Sequence, residues 1–173
     1  MLVTSVFVRY TRCMPARNVV KTYAPNTFYH VYNRGVERRL IFLDSEDYYR
    51  FLSIIATAVS RDDINLEIAE YCLMPNHFHL LIKQIDERSM SRFMQSAMTR
   101  YVLYFNWKHG RVGSLFQGPY KAAVISSDAQ LQHICSYINN NPTALGANPD
   151  SHPYSGKQYH DRSLVPPWLS THV

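Results

Sequence analysis

No stretch of this 173-residue chain approaches the roughly 18 consecutive apolar residues that a membrane-spanning helix needs, so a bilayer-embedded protein is not expected. Cysteine is scarce: Cys13, Cys72 and Cys135 are far apart, odd in number and without C-x-x-C spacing. That pattern argues against both a disulfide framework and a cysteine zinc site. Residues 2–8 are apolar but short, no basic region precedes them and no small-residue cleavage site follows. A signal peptide is therefore not expected, and a cytoplasmic location is. The most informative absence is of acid. Between Glu87 and Asp128 there is no Asp or Glu, while Arg88, Arg92, Arg100, Lys108, Arg111 and Lys121 all fall in that window. A positive field over this segment points to a polyanionic partner.

What is present fits one folded unit. The apolar fraction of 46% suffices for a core, and 18 Lys and Arg against 13 Asp and Glu leave a net charge of +5, in line with the acid-free window. Residues 1–24 show no clear period and carry Arg9, Arg12, Arg17 and Lys21, which reads as a basic amino-terminal arm. Residues 28–33 (FYHVYN) are aromatic and β-branched and run into Arg34-Gly35, a strand entering a turn. From Ser45, read as an N-cap, SEDYYRFLSIIATAVSR has acids in its first turn and then helical spacing. Residues 65–74 (NLEIAEYCLM) alternate, less cleanly at Tyr71 and Leu73; Pro75-Asn76 turns, and HFHLLIK resumes as a second arm of a hairpin. Residues 89–109 place apolar side chains at three- and four-residue steps, a long second helix. A Gly-containing link leads to a strand over 120–126, and Asp128 is read as capping a last helix.

Strand, helix, strand, strand, helix, strand is the split β-α-β order of an α+β, ferredoxin-like βαββαβ sandwich with an antiparallel sheet, here followed by an extra carboxy-terminal helix. The domain is expected over residues 25–146, with 147–173, rich in Pro, Gly, Asn and Ser, as an irregular tail over the domain or disordered. Aromatics in the acid-free segment, Phe93, Tyr101, Tyr104, Phe105, Trp107, Phe116 and Tyr120, suit stacking on unpaired bases. Their helical spacing equally suits a core stripe, and for most of them that is the expectation.

Two pairs of residues carry chemistry. His77 and His79 are two apart on a strand, so both project from one face and Phe78 from the other, which suits a shared metal. By itself such a pair more often marks structural or surface histidines. Tyr137 and Asn141 are four apart, and Pro142 disfavours helical geometry at Asn141, setting its amide at the helix end where its carbonyl oxygen can reach a metal. An amphipathic tyrosine followed by a turn-forming Asn run explains the same spacing.

PNHFHLL at residues 75–81, LFQGPYKA at 115–122 and YINNNP at 137–142, with YHVYNRG at 29–35, together resemble the insertion-sequence-200-like single-tyrosine HUH transposases, most closely the REP-associated tyrosine transposases. The likeness covers about residues 14–146, in order and at compatible spacing. It implies that His77, His79 and Asn141 hold a divalent metal, Mg²⁺ or Mn²⁺, and that Tyr137 is the nucleophile on the extra helix. It implies an endonuclease and strand transferase acting on single-stranded DNA beside an imperfect hairpin, the repetitive extragenic palindrome, through a 5′-phosphotyrosine bond. Monomers and homodimers both occur among such enzymes. Phosphate contacts are expected from Arg17, Lys21, Arg34, Arg38, Arg39, Arg92, Arg100, Lys108, Arg111 and Lys121. Met14-Pro15-Ala16-Arg17 is similar to the start of a family member, which marks residues 1–13 as a dispensable extension. The chain departs from the family at Pro119, where Arg is common, and at Asn139 and Ala144, where His and Arg are common.

Two other readings compete. A non-catalytic nucleic-acid-binding module on a ferredoxin-like sheet needs no tyrosine, but no RNP1-like string lies on an expected strand. A hydrolase using water needs a carboxylate base beside the histidines, and Glu70 and Asp86 are the nearby candidates; Glu70 could alternatively support a histidine from behind.

Overall fold

The computed structural model describes residues 23–159 and 165–170, so the expected basic arm, with Arg17, Lys21 and the extension over 1–13, lies outside the described residues except for its last two, and of these Tyr23 packs into the main core. Among these, the regular elements are β1 (Thr27–Arg34), α1 (Ser45–Val59), β2 (Leu66–Met74), β3 (His77–Gln84), α2 (Ser89–Lys108), β4 (Lys121–Ile125) and α3 (Asp128–Asn139). The strands form one antiparallel sheet in the order β2-β3-β1-β4, so β3 lies between β1 and β2 as the split β-α-β plan requires. The α+β ferredoxin-like expectation holds.

Strand alternation divides the sheet into two faces with different work. Tyr29 and Val31 of β1 and Phe78, Leu80 and Ile82 of β3 point to one side, into a core closed by Phe51 and Ile55 of α1 and Phe93, Met94, Ala97, Tyr101 and Phe105 of α2. On the other side Cys72, Met74, Leu81 and Ile125 form a smaller apolar patch under Ile134 and Ile138 of α3. Helices α1 and α2 thus cover one face and α3 only part of the opposite one. Of the aromatics weighed for base stacking, Phe93, Tyr101, Phe105 and Phe116 are buried, which settles them as core, whereas Trp107 is 82% exposed.

Several local details sharpen the sequence reading. Helix α1 is capped by Asp44, whose carboxylate accepts from the Asp47 N–H, with Ser45 as its first residue; likewise Ser127 caps α3 and Asp128 follows it. Each expected cap was one residue too late because two capping-competent residues stand side by side. The imperfect alternation of β2 has a physical cause, a register irregularity between Ile68 and Glu70 that inserts one residue. Leu66 and Ile68 before it and Tyr71 and Leu73 after it then all face the main core.

The turn after β1 depends on Gly35. Its N–H donates to the Asn76 carbonyl, and a Cβ there would lie 2.2 Å from the backbone oxygen of Arg39 and 3.0 Å from a methyl of Ile41. Glu37 and Arg38 beyond it both hold positive φ, 56° and 61°, conformations that cost L-residues free energy. Gly35→Ala is expected to destabilise the fold by about 1–3 kcal/mol, since backbone rather than a flexible side chain must move. Urea unfolding of the two proteins checks this, and an unchanged midpoint would refute the close approach.

Described residues after 146 meet the outer edge of β2. Leu73 N donates to the Tyr154 carbonyl, Ser155 bridges Cys72, and Ser170 N donates to the Ile68 carbonyl. Tyr154 stacks on Tyr48 with ring centres 3.8 Å apart, and Trp168 packs on Tyr71. Among the described residues no helix is long and apolar enough to cross a membrane.

Candidate active site

The open face of the sheet, beside α3, gathers His77, His79, Tyr137 and Asn141. Antiparallel register sets Tyr32 of β1 opposite His79 and Arg34 opposite His77, so all four side chains share that face. Tyr137, half-buried on α3, turns its ring edge to His79 at a centroid distance of 5.4 Å. Helix α3 ends at Asn139, and Asn141 opens a 3₁₀ turn, Asn141–Leu145, with Pro142 at its start. The two residues are thus not on one continuous helix face as the spacing suggested, yet Asn141 still reaches the site. Its Oδ1 lies 3.2 Å from His77 Nε2.

Hydrogen bonding orients the first histidine. Asn76 Nδ2 donates to the Arg38 carbonyl at 3.3 Å, which turns Asn76 Oδ1 toward His77 Nδ1 at 2.7 Å. Nδ1 then carries the proton and Nε2 presents a lone pair to the carbonyl oxygen of Asn141. Two acceptors 3.2 Å apart call for a positive charge between them. His79 is buried, with Nδ1 2.9 Å from His30 Nε2 and with Nε2 lacking any hydrogen-bond partner. The His79 ring lies 5.0 Å from that of His77, and an orphaned buried nitrogen on it, with a pair of acceptors at its neighbour, suits the donor set of a cation site. Among the described residues no group of three or more His, Cys, Asp or Glu is placed to hold a metal, so a cation held by His77 and His79 would need the Asn141 amide as a third protein ligand.

Burial holds the imidazoles neutral, the form that ligates metal. It lowers His30 to about 4; it lowers His77, partly offset by the bond to Asn141; and it sets His79 well below the usual range, with His30 and His77 adding to the effect. Burial, followed by the nearness of Tyr137, pushes the Tyr32 phenol up.

These depressed values have a stability consequence in the metal-free protein. In the unfolded chain histidines titrate near 6.5, so between pH 6.5 and 4 the unfolded state takes up protons that the native state refuses. Stability is complete above 6.5 and falls with pH; at pH 5 His30 alone is worth on the order of 2 kcal/mol. Urea midpoints in EDTA at pH 7.5 and pH 5 are expected to differ accordingly, and a flat profile would contradict the burial of neutral imidazoles.

Sequence reasoning missed His30. It sits two residues before Tyr32 on β1, on the site face, and its ring is 5.0 Å from that of His79 and 5.8 Å from that of Tyr137. The available signal was its parity in YHVYNRG, a polar residue in an otherwise aromatic and β-branched strand. The two acids considered near the histidines have these partners among the described residues. Glu70 pairs in register with Leu81 and accepts from the Tyr71 N–H, while Asp86 accepts from the Arg88 and Ser89 N–H groups at the start of α2.

The basic residues divide by face. Arg34 stands beside His77 in register and is held by Gln117 at 2.8 Å, and Lys121 pairs with Tyr32 and lies over its ring. Arg38 and Arg39 occupy the turn that continues β1, Arg38 exposed and Arg39 paired with Glu37. Arg92 and Arg100 line a cleft on the outer side of α2 together with Arg61, on the helical layer opposite the histidines. Lys108 is enclosed by Asp44, Glu46 and Asp47, and Arg111 packs over Phe105.

A four-stranded antiparallel sheet with a histidine pair on its open face, overlain by a tyrosine-bearing helix, defines an α+β protein built around one concentrated polar site. The sequence model of the family described as "Transposase IS200 like" matches residues 23–141, and the chain belongs to that family. Its fold is shared with a REP-associated tyrosine transposase solved bound to a REP hairpin, at a TM-score of 0.66 and 20% identity over 86% of this chain and 87% of the other. A candidate transposase from Deinococcus radiodurans aligns at a TM-score of 0.48 and 18% identity, over 68% of this chain and 92% of its own. No curated protein sequence matches.

Proposed function

We propose that this transposase is an endonuclease and strand transferase of the REP-associated kind, cutting single-stranded DNA beside a hairpin with Tyr137 as nucleophile. The observation that carries the reading is the convergence on one sheet face of the Tyr137 ring, the buried unpartnered Nε2 of His79 and the facing acceptors of His77 and Asn141. His77, His79 and Asn141 would hold a divalent cation, Mg²⁺ or Mn²⁺, supplying Lewis-acid polarisation of the scissile phosphate. The family to which the chain belongs and the hairpin-bound state of its structural neighbour support a DNA substrate of this form.

The chain's own residues would act as follows. The Tyr137 oxygen attacks phosphorus, a phosphotyrosyl ester forms at the 5′ side, and the bond to the 3′ oxygen breaks. The tyrosine proton passes to solvent and the departing oxygen takes one up as a free 3′-OH. One phosphodiester is exchanged for another, so the step runs in both directions and strands can be rejoined, whereas hydrolysis would discard the bond. Helix α3 orients the phenol, its apolar side fixed by Ile134 and Ile138 on the sheet. Arg34, Arg38, Arg39 and Lys121, around the same end of the sheet, are the phosphate contacts assigned to the flanking strand.

The test is labelled hairpin DNA with single-stranded flanks, incubated with the protein in Mn²⁺ or in EDTA and resolved on a denaturing gel. A covalent protein–DNA species is expected in Mn²⁺ and none in EDTA. Hairpin bound but never cut under either condition would favour a non-catalytic nucleic-acid-binding module, and free nicked product without adduct would favour water as the nucleophile.

A further inference from the structure

We infer that His30 is a positioning residue that fixes the tautomer and orientation of His79, accepting a hydrogen bond from His79 Nδ1–H so that Nε2 presents its lone pair to the site. The inference rests on the metal-site reading of His77, His79 and Asn141 and extends it to a residue of β1 that contacts no substrate.

His30 Nε2 and His79 Nδ1 are 2.9 Å apart inside the protein, so one of the two carries the shared proton. The remaining ring nitrogens, His30 Nδ1 and His79 Nε2, are both buried and both without a hydrogen-bond partner. Two neutral arrangements exist. If His30 donates, His79 Nε2 must carry a proton, and a buried N–H points at the site where a cation's ligand is required. If His79 donates, its Nε2 is a bare lone pair, and the unpartnered proton moves to His30 Nδ1, away from the bond the two rings share. Only the second arrangement makes His79 a ligand.

Geometry reinforces the assignment. His30 and His79 lie on adjacent strands and their rings stack at 5.0 Å, 28° from parallel, so the bond is set by sheet register rather than by a flexible side chain. Tyr137 closes the pair from the other side, its ring edge-on to both imidazoles. Metal-bound histidines are ordinarily held from behind by a carboxylate, a backbone carbonyl or water. At His79 Nδ1 that place is filled by a second imidazole, His30.

The decisive test compares the wild type with His30→Gln and His30→Phe. Gln can set an acceptor oxygen near the position of Nε2, whereas Phe keeps the ring shape without an acceptor. Mn²⁺ affinity of the DNA-free protein is read by electron paramagnetic resonance titration, with thermal melting in EDTA as a control for folding. A 10- to 100-fold weaker affinity is expected for His30→Phe, with His30→Gln recovering most of it. Equal Mn²⁺ affinity in His30→Phe and wild type would overturn the inference while leaving the metal site itself intact; failure of the wild type to bind Mn²⁺ would overturn both. If His30→Phe does not fold, long-range ¹H–¹⁵N spectra of the metal-free wild type decide instead. They are expected to show His79 protonated at Nδ1, and protonation at Nε2 would overturn the assignment.

Discussion

Tyr137→Phe is expected to abolish the covalent protein–DNA species while leaving hairpin binding within a few-fold of wild type. The substitution deletes one oxygen from a half-buried ring whose packing against His30, His79 and the α3 patch is made by carbon. It therefore removes the proposed nucleophile and little else, and no other group in the site can replace it at the same place: the Tyr32 phenol is pushed up by burial and comes from a strand. The loss should exceed about 10³-fold, as for removal of a covalent nucleophile elsewhere. The measurement is single-turnover cleavage on the labelled hairpin with Mn²⁺, alongside a binding titration in EDTA. Cleavage persisting in the variant at anything near the wild-type rate would assign the attack to water or to another residue.

The second large effect is structural. Removing residues 147–173 should cost several kcal/mol and leave the shortened chain prone to self-association. Along β2 the tail supplies backbone partners to Leu73 and Ile68, and His152 Nε2 meets the Leu73 carbonyl at 3.0 Å. Without it this edge presents unpaired N–H and C=O groups, the usual template for pairing with another chain. The loss also uncovers Tyr71 beneath Trp168 and Tyr48 beneath Tyr154 and removes buried Leu169. Three such side chains at about 1.5–3 kcal/mol each set the scale, an upper bound for a chain that is partly compact when unfolded. Urea unfolding and sedimentation velocity of full-length and shortened chains provide the check. A truncated protein with an unchanged midpoint and a single monodisperse species would show that the tail adheres without stabilising.

Much of this was legible in the sequence because period and punctuation agreed. HFHLLIK alternates between two environments, α2 repeats at helical spacing, and the hairpin turn is marked by Pro75-Asn76, so element type and order could be read residue by residue. What stayed hidden was pairing across distance. Nothing local to β1 reveals that His30 stands against His79, because strand register is settled by sheet assembly rather than by either strand. The tail was left open between lying over the domain and disorder for a related reason: its composition is that of a loop, and what docks its described residues is the free edge of β2. The acid-free window was a sound signal of charge but a poor map of it. Lys108 meets three carboxylates brought from α1 and its cap, residues more than sixty positions earlier in the chain.

The alternation of β3 separates heritable risks. Phe78, Leu80 and Ile82 face the main core, while His77 and His79 between them carry the proposed chemistry on the other face, so a lesion in the second set leaves the core packing of the first in place. A lineage that lost Tyr137 or a histidine would still produce a folded protein with Arg34 and Lys121 in place. On the function proposed above, such a protein would keep its hold on hairpin DNA and lose only the cut. Mobility would then decay without taking recognition with it.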